Sequence, residues 1–324
     1  MQGAVCEVAC LGEALALVAD VDEPVDARLA GAEANVAVGL AAAGVRVSWL
    51  GRLGTDPLGD ILLAALTAAG VETGAVERDP HRPTGRYAKR TGIDEHGEPA
   101  TTMVYRRAGS AASAMDPGFR ELPAVAERLA QAEIVHVSGI TAALSPGCSA
   151  LMHALVTGPR SHLLAFDVNW REQMWPDGDP ATVVALAGHA DVVLTGGDEA
   201  ARVFGTADPG QLRALLPGPR LIVVKDGPRR ALAIDRVGEV VARPALAVEV
   251  VEPVGAGDAF AAGLITGLLR GEDLGRCLRR GHLGAAAVLT VPGDTAPPLD
   301  PALLDLDDAA WAAVRVRADS QVLT

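Results

Sequence analysis

Short apolar runs alternate with helix-prone segments along the first part of the chain. The apolar runs with the length and composition of strands are 4–11, 13–19, 45–51 and 71–77. Between them, 33–43 is rich in short side chains, and 57–70 begins with proline and ends with glycine, as helices often do. Strands separated by helices with short links predict a parallel sheet that is covered by helices.

Residues 84–107 (TGRYAKRTGIDEHGEPATTMVYRR) interrupt this alternation. They show two stretches of alternating polar and apolar positions, joined by turn-forming residues, with no helical segment between them. This pattern predicts a β-hairpin, which we expect to join 13–19 in a small antiparallel lid. The lid should comprise about 13–30 and 84–112.

The alternation of strands and helices resumes after this hairpin. The predicted strands are 132–139, 162–169, 190–196 and 220–227, each preceded by a helical stretch. Residues 230–243 suggest a second hairpin, and 256–291 is helical apart from glycine interruptions. Because no repeat or linker is visible, we expect residues 1–324 to form a single α/β domain that carries the lid.

The composition narrows the range of partners. A formal net charge of −13 argues against duplex nucleic acid or an anionic membrane, because both require clustered Lys and Arg. No stretch approaches the roughly 20 uncharged apolar residues that cross a bilayer, and residues 1–20 lack the basic start of a signal peptide. The four cysteines form no CxxC pair and should be buried free thiols. We therefore expect a cytoplasmic protein with neither nucleic-acid nor membrane partners.

The most informative segment for chemistry is 252–258 (EPVGAGD). A Gly-x-Gly turn at the start of a helix exposes backbone N–H groups, and the helix dipole adds partial positive charge there. Asp258 should lie in the first turn, where the dipole favours its ionised form, and could accept a proton from an attacking hydroxyl. The alternative is an ordinary helix start. The segment is neither a GxxxxGK[ST] loop nor a GxGxxG fingerprint.

A second informative segment is 31–37 (GAEANVA). Gly31 would let the backbone pass close to a ligand, and Asn35 brings a donor and an acceptor to a helix of small and apolar residues. Asn35 is therefore either a helix cap or a ligand contact. Residues 51–56 (GRLGTD) follow a predicted strand, at the edge where open α/β sheets bind ligands.

Together these segments resemble the ribokinase-like (PfkB) family of carbohydrate kinases. Residues 31–60 are similar to the family's N-terminal signature and 254–269 to its C-terminal one, and the order of elements matches from about residue 4 to residue 295. The resemblance implies a three-layer sandwich with a central, mainly parallel sheet and a small antiparallel β lid. It also implies that Asp258 is the catalytic base and that Gly255, Ala256 and Gly257 form an anion hole.

The resemblance further implies ATP and Mg²⁺ as cofactors. The residues at matching nucleotide-side positions are Asn169, Glu199, Lys225, Gly227, Gly255 and Gly257. The family's Asn-x-x-Glu motif, which supports Mg²⁺ through water, reads GGDE at 196–199, and its Gly-x-x-Gly loop reads GPRR at 227–230. Glu199 is therefore either a water-mediated metal contact or the acidic residue of a helix N-terminus.

The start of the C-terminal signature also departs from the family pattern. Glu252, Pro253 and Val254 replace the usual Asp-Thr-x, whose Asp-Thr end often helps to bind a monovalent cation near the anion hole. Glu252 has a longer side chain than aspartate, and Pro253 has no N–H group. The binding of K⁺ is therefore left open by the sequence.

Two further segments indicate the substrate. Residues 105–113 (YRRAGSAAS) and 167–171 (DVNWR) are similar to segments of family members that phosphorylate 2-keto-3-deoxygluconate. By position, the substrate contacts are Gly31, Asn35, Tyr87, Tyr105, Arg107 and Arg171. Arginine is suited to the carboxylate of a sugar acid, although Arg107 and Arg171 could instead form structural salt bridges. The implied reaction transfers the γ-phosphate of ATP to the terminal hydroxyl, which gives the 6-phosphate.

Two other functions fit parts of the pattern. A kinase for a neutral sugar such as fructose or ribose would share the catalytic segment but would not require the two arginines. A non-catalytic sugar or nucleotide sensor would explain the altered motifs at 196–199 and 252–254. For the assembly, exposed strand edges on the lid make a homodimer through the lid an expectation.

Overall fold

The computed structural model describes residues 6–22, 26–93, 99–175 and 177–323, and its main element is an eight-stranded sheet. The strands of this sheet are β1 (Val8–Leu11), β4 (Val47–Leu50), β9 (Ile134–Ser138), β10 (Leu163–Asp167), β11 (Val192–Gly196), β12 (Leu221–Asp226), β13 (Arg230–Asp235) and β14 (Val240–Pro244). Their order across the sheet is β14-β13-β12-β11-β10-β9-β1-β4. The pairs from β4 to β12 are parallel, and β13 and β14 extend the sheet in antiparallel pairs.

Helices cover both faces of this sheet. They are α1 (Ala32–Ala42), α2 (Pro57–Ala68), α3 (Pro123–Gln131), α4 (Gly139–Ala143), α5 (Pro146–Thr157), α6 (Ala181–His189), α7 (Gly197–Phe204), α8 (Pro209–Leu215), α9 (Ala256–Leu269), α10 (Leu274–Leu289) and α11 (Asp308–Ala313). Short 3₁₀ turns occur at Ala112–Ala114, Pro117–Glu121, Glu172–Met174, Pro301–Asp305 and Ala318–Ser320.

The pleat of the strands assigns the helices to two layers. On β12, Ile222 and Val224 face the core that packs against α3 to α8, whereas Leu221 and Val223 face the core with α1, α2, α9 and α10. Since successive side chains of a strand point to opposite faces, an almost continuous apolar run is needed when both faces are covered. The predicted three-layer α/β sandwich with a mainly parallel central sheet is confirmed.

The four-stranded lid sheet lies beside this sandwich. Its strands are β2 (Leu15–Leu17), β3 (Arg28–Ala30), β7 (Arg86–Ile93) and β8 (Pro99–Arg106), in the order β3-β2-β7-β8. The predicted hairpin between β7 and β8 is present, and its turn at 94–98 lies outside the described residues. The β2–β3 and β7–β8 pairs are antiparallel, whereas β2 runs parallel to β7.

Two parts of the chain differ from the sequence-based prediction. The prediction of a strand at 71–77 is wrong. Glu72 forms a single bridge to Ser48, and a turn follows in which the Val76 amide donates to the Thr73 carbonyl at 3.1 Å. The remaining strands, none of which was predicted, are β5 (Arg52–Gly54) and β6 (Glu77–Asp79), which pair with each other, and β15 (Ala247–Val248), β16 (Arg315–Val316) and β17 (Val322–Leu323), which form a third small sheet.

Other sequence-based expectations agree with the fold. All four cysteines are buried and free of disulfides. Within the described residues, every helix falls short of the length and apolar character that a membrane span requires. The helical stretch expected at 256–291 is divided into α9 and α10 by a break at 270–273.

Candidate active site

A cavity of about 1260 Å³ lies between the lid and the carboxyl ends of the central strands. The ends of β10, β11 and β12 border it, as expected for open α/β sheets. It is lined by all of the residues predicted from sequence to contact substrate or nucleotide, namely Gly31, Asn35, Tyr87, Tyr105, Arg107, Asn169, Arg171, Glu199, Lys225, Gly227, Gly255, Ala256, Gly257 and Asp258.

The first turn of α9 forms an amide cradle, by which we mean the backbone N–H groups of 255–258. Gly255 precedes the helix in the left-handed conformation, with φ of 85°. A Cβ atom at this position would lie 2.3 Å from the carbonyl oxygen of Asp294, so only glycine fits. Because the first amides of a helix have no intrahelical acceptor, they can bind an anion here.

Asp258 lies in this first turn and faces the cavity. Its Oδ2 accepts a hydrogen bond of 2.8 Å from Nδ2 of Asn35. Burial raises the pKa of Asp258 to about 7, and the Asn35 hydrogen bond opposes this rise only in part. The helix dipole favours the ionised form of this carboxyl, but desolvation opposes that effect and raises the pKa overall.

Asn35 is positioned by the start of α1. Gly31 caps this helix with φ of 117°, and its carbonyl accepts the Asn35 amide at 2.8 Å. A Cβ atom on Gly31 would lie 2.4 Å from the Glu13 carbonyl oxygen. The close approach of the chain at Glu13 therefore requires glycine at position 31, whether or not a ligand also passes close to it. The Asn35 side chain is nearly buried and its Oδ1 lacks a partner within the described residues.

A buried ion pair lies next to the cradle. Nζ of Lys225, at the end of β12, donates to Oδ2 of Asp167 at 2.9 Å. Desolvation alone would lower the pKa of Lys225, but the nearby carboxylates of Asp167 and Glu199 raise it overall. Within the described residues, Oδ1 of Asp167 and Oδ1 of Asn169 are buried without a hydrogen-bond donor. Asn169 also has a positive φ of 38°, a conformation uncommon outside glycine.

The predicted nucleotide-side carboxylate, Glu199, is engaged within the protein. Its Oε2 accepts the Gly196 amide at 2.8 Å, which caps α7, and its Oε1 accepts from Arg171 at 3.3 Å. In this structure Glu199 therefore acts as the acidic residue of a helix N-terminus, which was one of its two predicted roles. The Arg171 side chain is 50% exposed and keeps donors free for a ligand.

The lid contributes an aromatic and charged wall. The rings of Tyr87 and Tyr105 stack with centroids 5.4 Å apart, and Arg107 lies 5.1 Å above the Tyr105 ring. Arg107 also forms an ion pair with Glu13, which is almost completely buried. The Tyr87 hydroxyl donates to Asp294 at 2.9 Å. Tyr87 thus offers a ligand its ring, since its hydroxyl is already used.

Several polar residues of the site were not identified from sequence. Glu13, Glu33 and Asp294 are all buried. Oε1 of Glu33 accepts from the Ser138 hydroxyl and the Thr141 hydroxyl, both at 2.7 Å, which fixes α1 against the central sheet. Desolvation raises the pKa of both Glu13 and Glu33. A single acidic residue within an apolar run was the available signal for Glu13.

The far end of the cavity is mainly apolar. It is lined by Ala245, Leu246, Val248, Val250, Ala285, Ala286 and Leu289. His282 also borders it, but its Nε2 bonds the Arg243 carbonyl oxygen at 3.1 Å and its ring meets Phe260 edge-on. Burial lowers the pKa of His282 to about 4, and these contacts give the residue a structural role. This end suits a flat, uncharged ring.

The described residues contain no cluster of three or more His, Cys, Asp or Glu side chains placed to ligate a metal ion. Mg²⁺ does not require such a cluster, because it commonly binds through one or two carboxylates, water and substrate phosphates. Asp167 and Asn169 each present an oxygen without a donor beside the amide cradle. These oxygens fit a phosphate-bound Mg²⁺.

Comparison with known proteins agrees with this geometry. Residues 7–301 match the family described as pfkB family carbohydrate kinase. A 2-dehydro-3-deoxygluconokinase of Bacillus subtilis (strain 168) is 34% identical over 273 residues, which are 82% of this chain and 82% of the relative. The enzyme of the same name from Thermoproteus tenax is 32% identical over 273 residues, covering 82% of this chain and 81% of the relative.

Solved structures show the same fold. The crystal structure of a PfkB protein from Polaromonas sp. JS666 has a TM-score of 0.74 and 32% identity, covering 93% of this chain and 100% of that one. Fructokinase from Vibrio cholerae O395, bound to fructose, ADP and calcium ion, has a TM-score of 0.77 and 26% identity, covering 92% and 97%. The chain is a phosphotransferase with an alcohol acceptor and belongs to the pfkB family of carbohydrate kinases.

Proposed function

We propose that this kinase transfers the γ-phosphate of ATP to the terminal hydroxyl of 2-keto-3-deoxygluconate, also called 2-dehydro-3-deoxygluconate, to give the 6-phosphate. The observation that carries the proposal is Asp258, a carboxyl with a pKa of about 7 at the edge of an amide cradle. A base is most effective when its pKa lies near the working pH. The names of the Bacillus and Thermoproteus relatives supply the substrate.

Two arginines of the cavity lining support an acidic substrate. Arg171 is half exposed to the cavity, and Arg107 is paired with Glu13 through one part of a guanidinium that has five donors. Both side chains can therefore bind a carboxylate while keeping their protein partners. The ring of Tyr105, which is stacked on Tyr87, offers an apolar surface to the carbon chain of the substrate.

In the proposed reaction, the Asp258 carboxylate takes the proton of the terminal hydroxyl. The hydroxyl oxygen forms a bond to the γ-phosphorus, the bond between this phosphorus and the ADP oxygen breaks, and ADP leaves. The Asn35 hydrogen bond to Oδ2 orients the carboxylate and leaves Oδ1 for the proton. The amides of Gly255, Ala256 and Gly257 stabilise the negative charge of the transferred group without a side chain.

ATP and Mg²⁺ complete the proposed site. ADP is bound in the Vibrio fructokinase structure, and we place the nucleotide base of ATP in the apolar end of the cavity, past Lys225 and Gly227. Mg²⁺ would be held through Asp167, Asn169 and, by way of water, Glu199. When bound, it neutralises charge on the phosphates of the nucleotide. Lys225 supplies a second positive charge there.

The decisive experiment measures ADP release by the purified protein with ATP, Mg²⁺ and a panel of sugar acids and neutral sugars. We expect the highest kcat/KM for 2-keto-3-deoxygluconate and no detectable turnover by Asp258→Asn, which should still bind the substrate. If Asp258→Asn lost binding and kept turnover, its proposed role would be wrong. Binding without turnover by the wild type would identify a sensor.

The second candidate is a kinase for a neutral sugar. Arg107 and Arg171 both have carboxylate partners in the structure, and a fructokinase of Klebsiella pneumoniae is 32% identical over 247 residues, or 74% of this chain. Fructose or ribose should then give the highest kcat/KM in the same panel.

For the assembly, we propose a homodimer through the lid in the cytoplasm, where ATP is available. The lid sheet ends in β3 on one side and β8 on the other. An edge strand has backbone groups that can pair with a second copy. Sedimentation of the wild type and of Thr102→Pro, which removes a backbone donor from β8, tests this arrangement. A monomeric wild type would exclude it.

A further inference from the structure

The lid and the amide cradle are connected by an ammonium group. Nζ of Lys89, on β7, donates to Oε2 of Glu252 at 2.9 Å and to Oδ1 of Asp294 at 3.2 Å. The Tyr87 hydroxyl, two residues earlier on the same strand, donates to the other oxygen of Asp294 at 2.9 Å. We refer to Lys89, Glu252, Asp294 and Tyr87 as the lid latch.

Both acids of the latch belong to loops that shape the cradle. Oε1 of Glu252 accepts the Val254 amide at 3.3 Å, directly before Gly255. The backbone of Asp294 packs so closely on Gly255 that its carbonyl oxygen excludes a Cβ atom there. A displacement of either acid would therefore move the residue that starts the cradle.

The charges of the latch require compensation. Asp294 is almost completely buried, and the Glu252 side chain is 24% exposed. Two carboxylates beside an anion-binding cradle would repel a phosphate if they carried no counter-charge. Lys89 supplies that charge, with a side chain that is only 17% exposed. Desolvation would lower the pKa of Lys89, but the hydrogen bonds and charges of Glu252 and Asp294 raise it overall.

This arrangement does not fit a free monovalent cation between the two acids. A bound K⁺ would need oxygen ligands around it, but the ammonium of Lys89 already occupies the position that contacts both carboxylates. Pro253 cannot supply an amide donor to orient the loop. The Val254 amide donates instead, and Oε1 of Glu252 accepts.

We propose that Lys89 is the built-in monovalent cation of the amide cradle, so that this kinase needs no K⁺ and its cradle is formed fully only when the lid brings Lys89 to Glu252 and Asp294. Lys89 is a positioning residue, since it acts on the cradle through the two acids. The expected effect of Lys89 on kcat rests on the proposed function of the cradle. The expected ordering of the 252–258 loop by Lys89 does not depend on that function.

The test compares Lys89→Ala with Arg90→Ala, a neighbour on β7 whose guanidinium approaches Asp20 at 4.0 Å on the exposed side of the lid. Activity is measured at constant ionic strength in chlorides of K⁺, methylammonium and tetramethylammonium. We expect the wild type and Arg90→Ala to have the same kcat in all three salts. Lys89→Ala should lose about 10- to 100-fold in kcat in tetramethylammonium, because misplaced catalytic groups cost that order.

The small cations should rescue this loss. Methylammonium or K⁺ can enter the space left by the lysine side chain and restore kcat of Lys89→Ala several-fold, whereas tetramethylammonium is too bulky to approach both carboxylates closely. A role of Lys89 in packing alone would give a variant that does not respond to the salt. This response therefore separates positioning by charge from simple loss of structure.

A second readout needs no turnover. Hydrogen exchange of the amides at 254–258 in the ligand-free protein should be faster in Lys89→Ala than in the wild type and should slow again in methylammonium. Arg90→Ala should match the wild type. If no sugar were phosphorylated but this exchange pattern were found, the proposed substrate would be wrong and the latch would stand.

Two further results would overturn the inference. One is a wild-type kcat that rises several-fold when K⁺ replaces tetramethylammonium, which would reveal a separate cation site. The other is a Lys89→Ala variant that matches Arg90→Ala in kcat and in exchange. If Lys89→Ala does not fold, the salt series on the wild type can still overturn the inference.

Discussion

At the scale of one residue, the proposed catalytic role of Asp258 conflicts with the stability of the folded protein. Its pKa of about 7 makes it a suitable base, but the same burial makes its charge costly to the folded protein. Between the ordinary pKa of 3.8 and the raised value, the folded state binds more protons than the unfolded state. The free energy of unfolding therefore falls as pH rises through this window and stays low above about pH 7.

Asp258→Asn should accordingly lose turnover and gain stability. At pH 8 we expect the free energy of unfolding to rise by about 2 kcal/mol, less than the full pKa shift implies because the carboxyl borders an open cavity. Urea unfolding at pH 8 and pH 4 checks this, and the gain should vanish at pH 4. For the wild type, kcat/KM should fall about tenfold per unit below pH 7 and level off above it.

Substitution of Arg107 tests whether the substrate is acidic, and the design must account for the ion pair between Arg107 and Glu13. Arg107→Ala should raise KM for the sugar acid by the factor that corresponds to a loss of about 2–3 kcal/mol in binding free energy. The same substitution leaves Glu13 buried without its ion pair and therefore lowers the free energy of unfolding. Adding Glu13→Gln should restore much of the stability and leave KM high. A KM unchanged in both variants would favour a neutral sugar.

At the scale of elements, the first turn of α9 depends on Gly255. Gly255→Ala should abolish turnover and lower the free energy of unfolding by more than about 2 kcal/mol, because strain at φ of 85° adds to a clash with the Asp294 carbonyl. Gly271, just after the same helix, also has a positive φ of 66° but open space around it. Gly271→Ala should cost about 1 kcal/mol and keep kcat. If Gly255→Ala and Gly271→Ala changed kcat equally, the proposed role of the cradle in catalysis would be refuted.

The elements also show what the sequence could predict. The regular alternation of apolar runs and helices identified the central sheet, because its strands are buried on both faces and have no polar face to obscure the pattern. The lid hairpin was visible from its polar alternation. In contrast, β15, β16 and β17 have two residues each, and such short strands carry no periodicity. They form only because neighbouring elements place them side by side.

Only those parts of the candidate site that adjacent residues encode could be predicted from the sequence. Local motifs identified Asp258, Asn35 and the cradle glycines, because helix starts and turns are encoded by adjacent residues. The partners of the lid residues were not visible in this way. Arg107 and Glu13 are 94 positions apart, and Lys89 and Asp294 are 205 apart. The desolvation that raises the pKa of Asp258 likewise arises from elements that lie far apart in the sequence.

At the scale of the whole molecule, the C-terminal segment supports the site from outside. Trp311 is buried in a third core with residues of α10, its Nε1 donates to the Pro244 carbonyl at 3.0 Å, and Arg279 lies 4.7 Å from its ring centre. The adjacent strand β16 pairs with β15, which leads towards the cradle. The end of the chain therefore helps to fix the loop before α9.

Trp311→Ala should therefore lower both stability and activity. We expect a loss of about 3–5 kcal/mol in the free energy of unfolding, as is usual for a buried tryptophan replaced by alanine, measured from urea midpoints. Leu215→Ala is the matched surface control, since Leu215 is 55% exposed. A loss below 1 kcal/mol for Trp311→Ala, or a loss as large for Leu215→Ala, would contradict this role.

The sequence contains only two lysines, Lys89 and Lys225, and the fold uses both as counter-ions of buried acids around one cavity. Chemistry directed at primary amines thus has few targets on this protein. A reagent that acylates a lysine side chain must remove one of these two counter-ions. We expect attachment to a surface through amines either to use the α-amino group or to lower the activity. Cross-linking studies of this kinase are better directed at its many carboxylates.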